Sequence, residues 1–194
     1  MKKILILLLL INFNYINAYS IEADVFIQST VNRAADTLGA SLTKKERMEK
    51  LKKIALDTVD IRGIGLYSLG VHRKNLSEEQ EIDYMNAFEN YFLQSFSSRL
   101  AEYSNPIINV DSKKKINENY TIVSSTLVAT NNRPAVKIEW RVYTKNKKQP
   151  LIRDLIIEGL SLARTQKEEF NSIINSASGD INVLLENLRN FSNN

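Results

Sequence analysis

The sequence predicts an α+β protein, a twisted antiparallel sheet of about four strands wrapped by six or so helices. Three observations point there. Between residues 24 and 104, apolar side chains recur at helical spacing, punctuated by capping signals. Between residues 107 and 158 the period drops to two, and polar turn residues separate the runs. Helical spacing returns after Thr165 and continues nearly to the C-terminus. At 194 residues, the chain is long enough for one domain with its own core.

The first 18 residues stand apart. Lys2 and Lys3 precede an unbroken apolar run from Ile4 to Ile11, and Ala18 is a small residue suited to cleavage. This is the pattern of a secretory signal, too short for a membrane anchor. The expected division is a signal peptide at 1–18 and one domain at 19–194.

Ile27, Val31, Ala34, Ala35 and Leu38 mark one face of a first helix, stopped by Gly39. Thr43 and Glu46 form a capping box for a second, lined by Met48, Leu51, Ile54 and Ala55. Asp60 caps a short third helix carrying Ile61, Ile64 and Leu69 and ended by Gly70. Gly63 and Gly65 weaken that helix by roughly 1 kcal/mol each against alanine, which implies close packing or local mobility. Ser77 and Gln80 form another capping box, opening a long helix over residues 78–104. Its stripe reads Ile82, Met85, Phe92, Phe96 and Tyr103, its length is about 40 Å, and Asn105-Pro106 ends it.

Strands follow at 107–110, 120–128, 135–143 and 151–158. Short polar connections between them imply an antiparallel meander. Lys113, Lys114 and Lys115 fall in the first connection and read as an exposed turn. Val136, Ile138, Trp140 and Val142 share one face of their strand, while Lys137, Glu139 and Arg141 share the other. The sheet is therefore one-sided, with its apolar face toward the helices. In the last strand Leu155 and Ile157 alternate with Ile156 and Glu158 until Gly159 breaks the run. Thr165 and Glu168 look like a capping box that starts a helix near Gln166, with Phe170, Ile173 and Ile174 on its apolar face. A closing helix after Asp180 carries Ile181, Leu184, Leu185 and Leu188.

The sequence is poor in catalytic groups. It has one histidine, His72, and no cysteine, so disulfides, thiolate chemistry and a lipoprotein anchor are excluded. No zinc, EF-hand or phosphate-loop motif is present. The segment around Ser161 superficially matches a nucleophile elbow, but Ala163 replaces the second glycine. Asp154 reads as an ion pair or cap on the outer face of the sheet. The net charge of +4 falls to +2 without Lys2 and Lys3, too little to argue for nucleic acid. Catalytic residues, metal ligands and cofactors are thus all expected to be none. Periodicity does not separate a solid core from a container, and the residues alone favour the solid core.

Three blocks resemble the MlaC (toluene-tolerance) family of periplasmic phospholipid-binding proteins. They are DIRGIGLYSLG at 60–70, the long-helix block at 78–103 with Gln80, Phe88, Arg99, Leu100 and Tyr103, and DLIIEGLSLARTQKEEF at 154–170. The likeness spans about 24–188. Aromatics that the family often carries near the positions of Arg73 and Pro150 are missing.

The resemblance implies an apolar cavity enclosed by sheet and helices that sequesters the acyl chains of a phospholipid. It implies a monomeric periplasmic carrier, not an enzyme. The carrier would shuttle lipid between an outer-membrane lipoprotein complex and an inner-membrane ABC lipid transporter complex. The candidate lipid-binding residues are the inward-facing Phe92, Phe96, Val123, Leu127, Val136, Ile138, Trp140, Leu155 and Ile157. Hopanoid or another lipid is the alternative cargo. A small cone-fold enzyme would need His72 or Asp154 buried beside a second titratable group, and an adaptor would have a filled core.

Overall fold

A computed structural model describes residues 20–131 and 133–192; the expected signal peptide lies outside these. The chain runs α1 (Ala23–Gly39), α2 (Lys44–Thr58), α3 (Ile61–Ser68), a 3-10 turn (His72–Asn75) and α4 (Glu78–Leu100). The sheet follows as β1 (Ile108–Asn117), β2 (Tyr120–Leu127), β3 (Val136–Tyr143), β4 (Leu151–Ile157) and β5 (Leu160–Ser161). Helices α5 (Leu162–Ser176) and α6 (Ile181–Ser192) close it. The strands form one open antiparallel sheet in the order β1-β2-β3-β4-β5, so the α+β meander stands. No described helix is long and apolar enough to cross a membrane.

The helix-start signals at Thr43, Asp60 and Ser77 act as read. Thr43–Glu46 and Ser77–Gln80 both close as reciprocal capping boxes. Asp60 accepts the Gly63 amide at 2.9 Å and starts α3. The two glycines of α3 serve close packing. A Cβ on Gly65 would lie 2.8 Å from the Phe88 ring, and one on Gly63 would lie 2.5 Å from the capping carboxylate of Asp60. With α3 this near, the Tyr84 hydroxyl donates to the Gly65 carbonyl at 2.9 Å.

Helix α4 is shorter than expected and turned differently. It ends at Leu100, giving 23 residues, because the chain leaves the helix several residues ahead of Asn105-Pro106. Its deeply buried side chains are Tyr84, Ala87, Phe88 and Ser97, whereas Ile82 is 58% exposed. The helix packs on α2, α3 and α6, so burial wraps much of its circumference and no single stripe describes it.

Lys113, Lys114 and Lys115 belong to β1 and not to a turn. Their backbones pair with Val123, Ile122 and Thr121 of β2. The turn shrinks to Glu118–Asn119, where the Asn117 side chain accepts the Asn119 amide at 2.9 Å. Lys113 bridges Glu22 at 2.7 Å and Asp24 at 2.8 Å, tying β1 to the start of α1. Lysines and two register irregularities on this edge strand discourage pairing with another chain.

A fifth strand also appears. Glu158 (φ 49°) and Gly159 (φ 83°) form a two-residue turn with both φ positive, which pairs Ile157 with Leu160. Helix α5 then starts at Leu162, ahead of the expected Gln166. The Ser161 hydroxyl accepts the Arg164 amide at 3.1 Å, and the Asp154 carboxylate accepts the Ala163 amide at 3.0 Å. These two acceptors satisfy the first helical amides before Thr165 is reached, and the Thr165 hydroxyl instead donates to the Ser161 carbonyl.

Helices cover one face of the sheet. Ile138, Trp140 and Val142 are buried beneath them, while Lys137, Glu139 and Arg141 are exposed on the other face. The core joins α1, α3, α4, α5 and α6 to the sheet, and a smaller cluster of Leu38, Leu51 and Ala101 links α1, α2 and the end of α4.

Candidate functional site

The two ends of the sheet are built from different chemistry. At the end bearing Tyr120, Tyr143 and Leu151, polar and aromatic groups lock together. The Arg153 guanidinium lies 3.7 Å over the Tyr143 ring and donates to Asp60 and to the Tyr120 hydroxyl, both at 2.6 Å. Burial opposes the charge on Arg153, but its hydrogen bonds to Tyr120 and Asp60 prevail and hold it above the ordinary guanidinium range. The Asp60 amide donates to the Ile152 carbonyl at 2.9 Å, so the α2–α3 junction is stitched to β4.

At the opposite end the inner face is apolar and incompletely covered. Ile108, Leu127 and Val136 form one cross-strand row, and Ile138 pairs with Ile157. Leu127, Val136, Leu155 and Ile157 are half-buried, while Ile107 and Leu160 stand exposed at the rim. Close helix packing on the sheet comes from α1 on β1 and β2, α3 on β4, and α5 on β4 and β5. Helix α4 has its extensive contacts with other helices, and its Phe92 and Phe96 pack against the core that the sheet shares. Phe92 and Phe96 stack with centroids 5.7 Å apart and planes at 9°, both half-buried. Phe88 lies 6.1 Å behind Phe92 and is fully buried.

Deeper in, Val123, Ile138 and Trp140 are buried. The Trp140 indole donates to the Ser125 hydroxyl at 2.8 Å, and that hydroxyl lies 3.3 Å from the Ile138 carbonyl, so the one polar atom of the ring is satisfied. Eight of the nine candidate residues therefore pack into one hydrophobic cluster, from a buried floor to half-buried walls, and Ile157 is placed beside it by its pairing with Ile138. Phe88, Ile108 and Val110 join the same cluster and were not among the expected lipid-binding residues. The spacing of Phe88, Phe92 and Phe96 at four residues, and the two-residue spacing of Ile108 and Val110, are the signals that find them.

Two cavities lie elsewhere. One of about 380 Å³ opens on the outer face among Asp111, Ser124, Thr126, Lys137, Glu139 and Glu158. The other, about 420 Å³, is a shallow groove between Asp36 and Gly39 of α1 and the Asn105–Ile107 link.

Candidate catalytic groups are used structurally. Asp154 is 4% exposed, and its two oxygens accept from the Ala163 amide and from the Ser161 hydroxyl at 2.6 Å, with Arg141 at 3.9 Å. Its outer-face capping role is as the sequence indicated. Ser161 caps α5. His72 sits half-buried in the 3-10 turn. Burial pushes the phenols of Tyr84 and Tyr91 upward, with Glu169 adding to the effect at Tyr91, so both stay neutral donors. Among the described residues, no three His, Cys, Asp or Glu side chains are placed to hold a metal.

A family model described as MlaC protein matches residues 28–190. No curated protein matches the sequence. Among solved structures, the phospholipid-binding protein from Ralstonia solanacearum, determined in complex with a phospholipid, has the same fold with a TM-score of 0.75. It is 18% identical, and the alignment covers 89% of this chain and 97% of that one.

Proposed function

The chain belongs to the MlaC family, and from that premise we propose that it is a phospholipid carrier that binds acyl chains between α4 and the inner face of the sheet. The observation that carries this reading is the half-buried apolar surface at the open end, to which α4 contributes Phe92 and Phe96 and the sheet contributes Leu127, Val136 and Leu155. Side chains that are only half-buried give up less packing energy when separated than fully buried ones. Acyl chains enter by parting the Phe92–Phe96 stack from the sheet, reach the floor of Val123, Ile138 and Trp140, and restore the lost contacts themselves.

The energetics call for a carrier. Burying one methylene is worth about 0.8 kcal/mol, so two chains of roughly fifteen methylenes represent about 24 kcal/mol against bare water. A sleeve that approximates the bilayer interior makes exchange with a membrane nearly neutral. Function is then sequestration with no bond made or broken, and the capping roles of Asp154 and Ser161 agree with a protein that is not an enzyme.

In this reading residues 1–18 are an export signal, the mature domain spans 19–194, and the protein works in the periplasm. It passes lipid between an outer-membrane lipoprotein complex and an inner-membrane ABC transporter complex, as a monomer. Native mass spectrometry of the exported protein, followed by organic extraction, tests the central claim. Folded protein is expected to carry phospholipid without any being added. Protein that yields no lipid and takes up none from labelled vesicles overturns the proposal.

A further inference from the structure

Resting on the carrier reading, we propose that Arg99 is the contact for the lipid phosphate, placing the headgroup at the mouth of the slot once the chains are inside. Arg99 follows Phe92 by seven residues, which turns it within about 20° of the same direction on the helix. It follows Phe96 by three residues, a rise of about 4.5 Å toward the open end. The helix face that offers two rings to the acyl chains therefore offers a guanidinium next, at its last turn.

Its surroundings leave it available. Arg33, Arg62, Arg153 and Arg189 each meet a carboxylate, and Arg133 lies 4.6 Å over the Tyr103 ring. Arg99 is exposed and has no hydrogen-bond or ion-pair partner among the described residues. The nearest acid in sequence, Glu102, is engaged by Lys44. The charge of Arg99 is felt at Tyr91, two turns back along α4, where Glu169 acts in the opposite sense.

The chemistry matches the place. In a phospholipid the phosphate is attached to the glycerol that joins the two chains, so with the chains beside Phe92 and Phe96 it falls about one helical turn further out. A guanidinium meets phosphate oxygens with two parallel hydrogen bonds, which an ammonium does not reproduce. Arg99 then distinguishes a phospholipid from a neutral lipid with the same chains.

The test uses the full mature chain, stripped of lipid and offered dioleoyl phosphatidylglycerol, dioleoyl phosphatidylethanolamine or dioleoylglycerol in native mass spectrometry. Wild-type protein is expected to favour both phospholipids over dioleoylglycerol by about tenfold, the scale of a charge-assisted hydrogen bond. Arg99→Gln is expected to abolish that preference while loading dioleoylglycerol as before, and Arg99→Lys to keep part of it. Thermal melts establish that each variant is folded.

An Arg99→Gln protein that loses all three lipids equally, or retains the wild-type preference, overturns the proposal. So does inorganic phosphate alone binding at Arg99 with the affinity of the phospholipids, since the site then reads a free anion. Wild-type protein that loads none of the lipids sinks the carrier reading and this one together. Wild-type loading of all three with unchanged selectivity in Arg99→Gln sinks this one alone.

Discussion

The two ends of the sheet are held together by different physics, and the proposed carrier role assigns binding to only one of them. At the Tyr120–Tyr143 end, Arg153 satisfies Asp60, donates to Tyr120 and stacks on Tyr143, so one side chain holds a helix junction and three strands. At the other end Phe92, Phe96, Leu127 and Val136 each pack against the common core and stay half-buried. Specific polar geometry makes the first end hard to open, because every lost partner leaves another group unpaired. Non-directional apolar contact leaves the second end easier to part, because another apolar group, such as the acyl chain of the proposed cargo, would replace a phenyl ring at little net cost.

The sharpest way to break this contrast is Arg153→Ala. It leaves Asp60 half-buried without its cation and removes a hydrogen bond to Tyr120, and is expected to cost about 2–4 kcal/mol of stability. Urea unfolding measures this as a lower midpoint, and phospholipid loading of the folded fraction should stay unchanged. Equal damage to stability and loading would show that the two ends are not independent.

Phe92→Ala and Phe96→Ala probe the other end. Each is expected to lower stability by only about 1–2 kcal/mol, because the rings are half-buried and leave less of a cavity than a core phenylalanine. Combined, they should reduce retained lipid severalfold in extraction assays. Phe88→Ala, in the sealed core, should reverse that ratio, with a cost of about 3–5 kcal/mol.

Trp140 reports how deep the separable region reaches. It is the only tryptophan in the chain and lies buried between Val123 and Leu155 in the register. Phospholipid brominated along its chains should quench Trp140 emission at confirmed loading, while the unbrominated lipid should not. Unchanged emission would confine the chains to the outer walls.

The smallest expected effect concerns the Lys113 bridge to α1. The hydrogen bond from Lys113 outweighs burial and holds the Asp24 carboxyl below its ordinary value of 3.8. Its stabilisation is therefore complete above that value and lost as pH falls through the lower folded-state pKa. The same pair, with Glu22, raises Lys113 above 10.5, so that contribution is present below 10.5 and lost as pH rises through the folded-state pKa. Lys113 is exposed and Asp24 only half-buried, so the effect should be slight and should shrink further in high salt. Lys113→Met melts across pH 2–6, at low and high salt, check this. A large salt-independent loss would mean that the bridge matters more to the α1–β1 join than its exposure implies.

Sequence alone determined what depends on neighbours along the chain. The capping boxes at Thr43 and Ser77 and the Asp60 cap each join groups three residues apart, and they form as read. The alternation of β3 decides which face is apolar, because successive side chains point to opposite sides. The candidate site was legible as a set of inward-facing positions for the same reason. Tertiary structure decided the rest. Helix α5 starts early because Asp154, from β4, supplies an acceptor eight residues ahead of Leu162. The lysine run is a strand because β2 offers it a ladder. Which α4 side chains are sealed and which stay half-open depends on α3 coming close through Gly65 near Phe88, while the sheet is left to α1, α3 and α5. Periodicity specifies a direction around a helix or strand. Burial depends on the distance to whatever lies in that direction, and only the folded chain sets that distance.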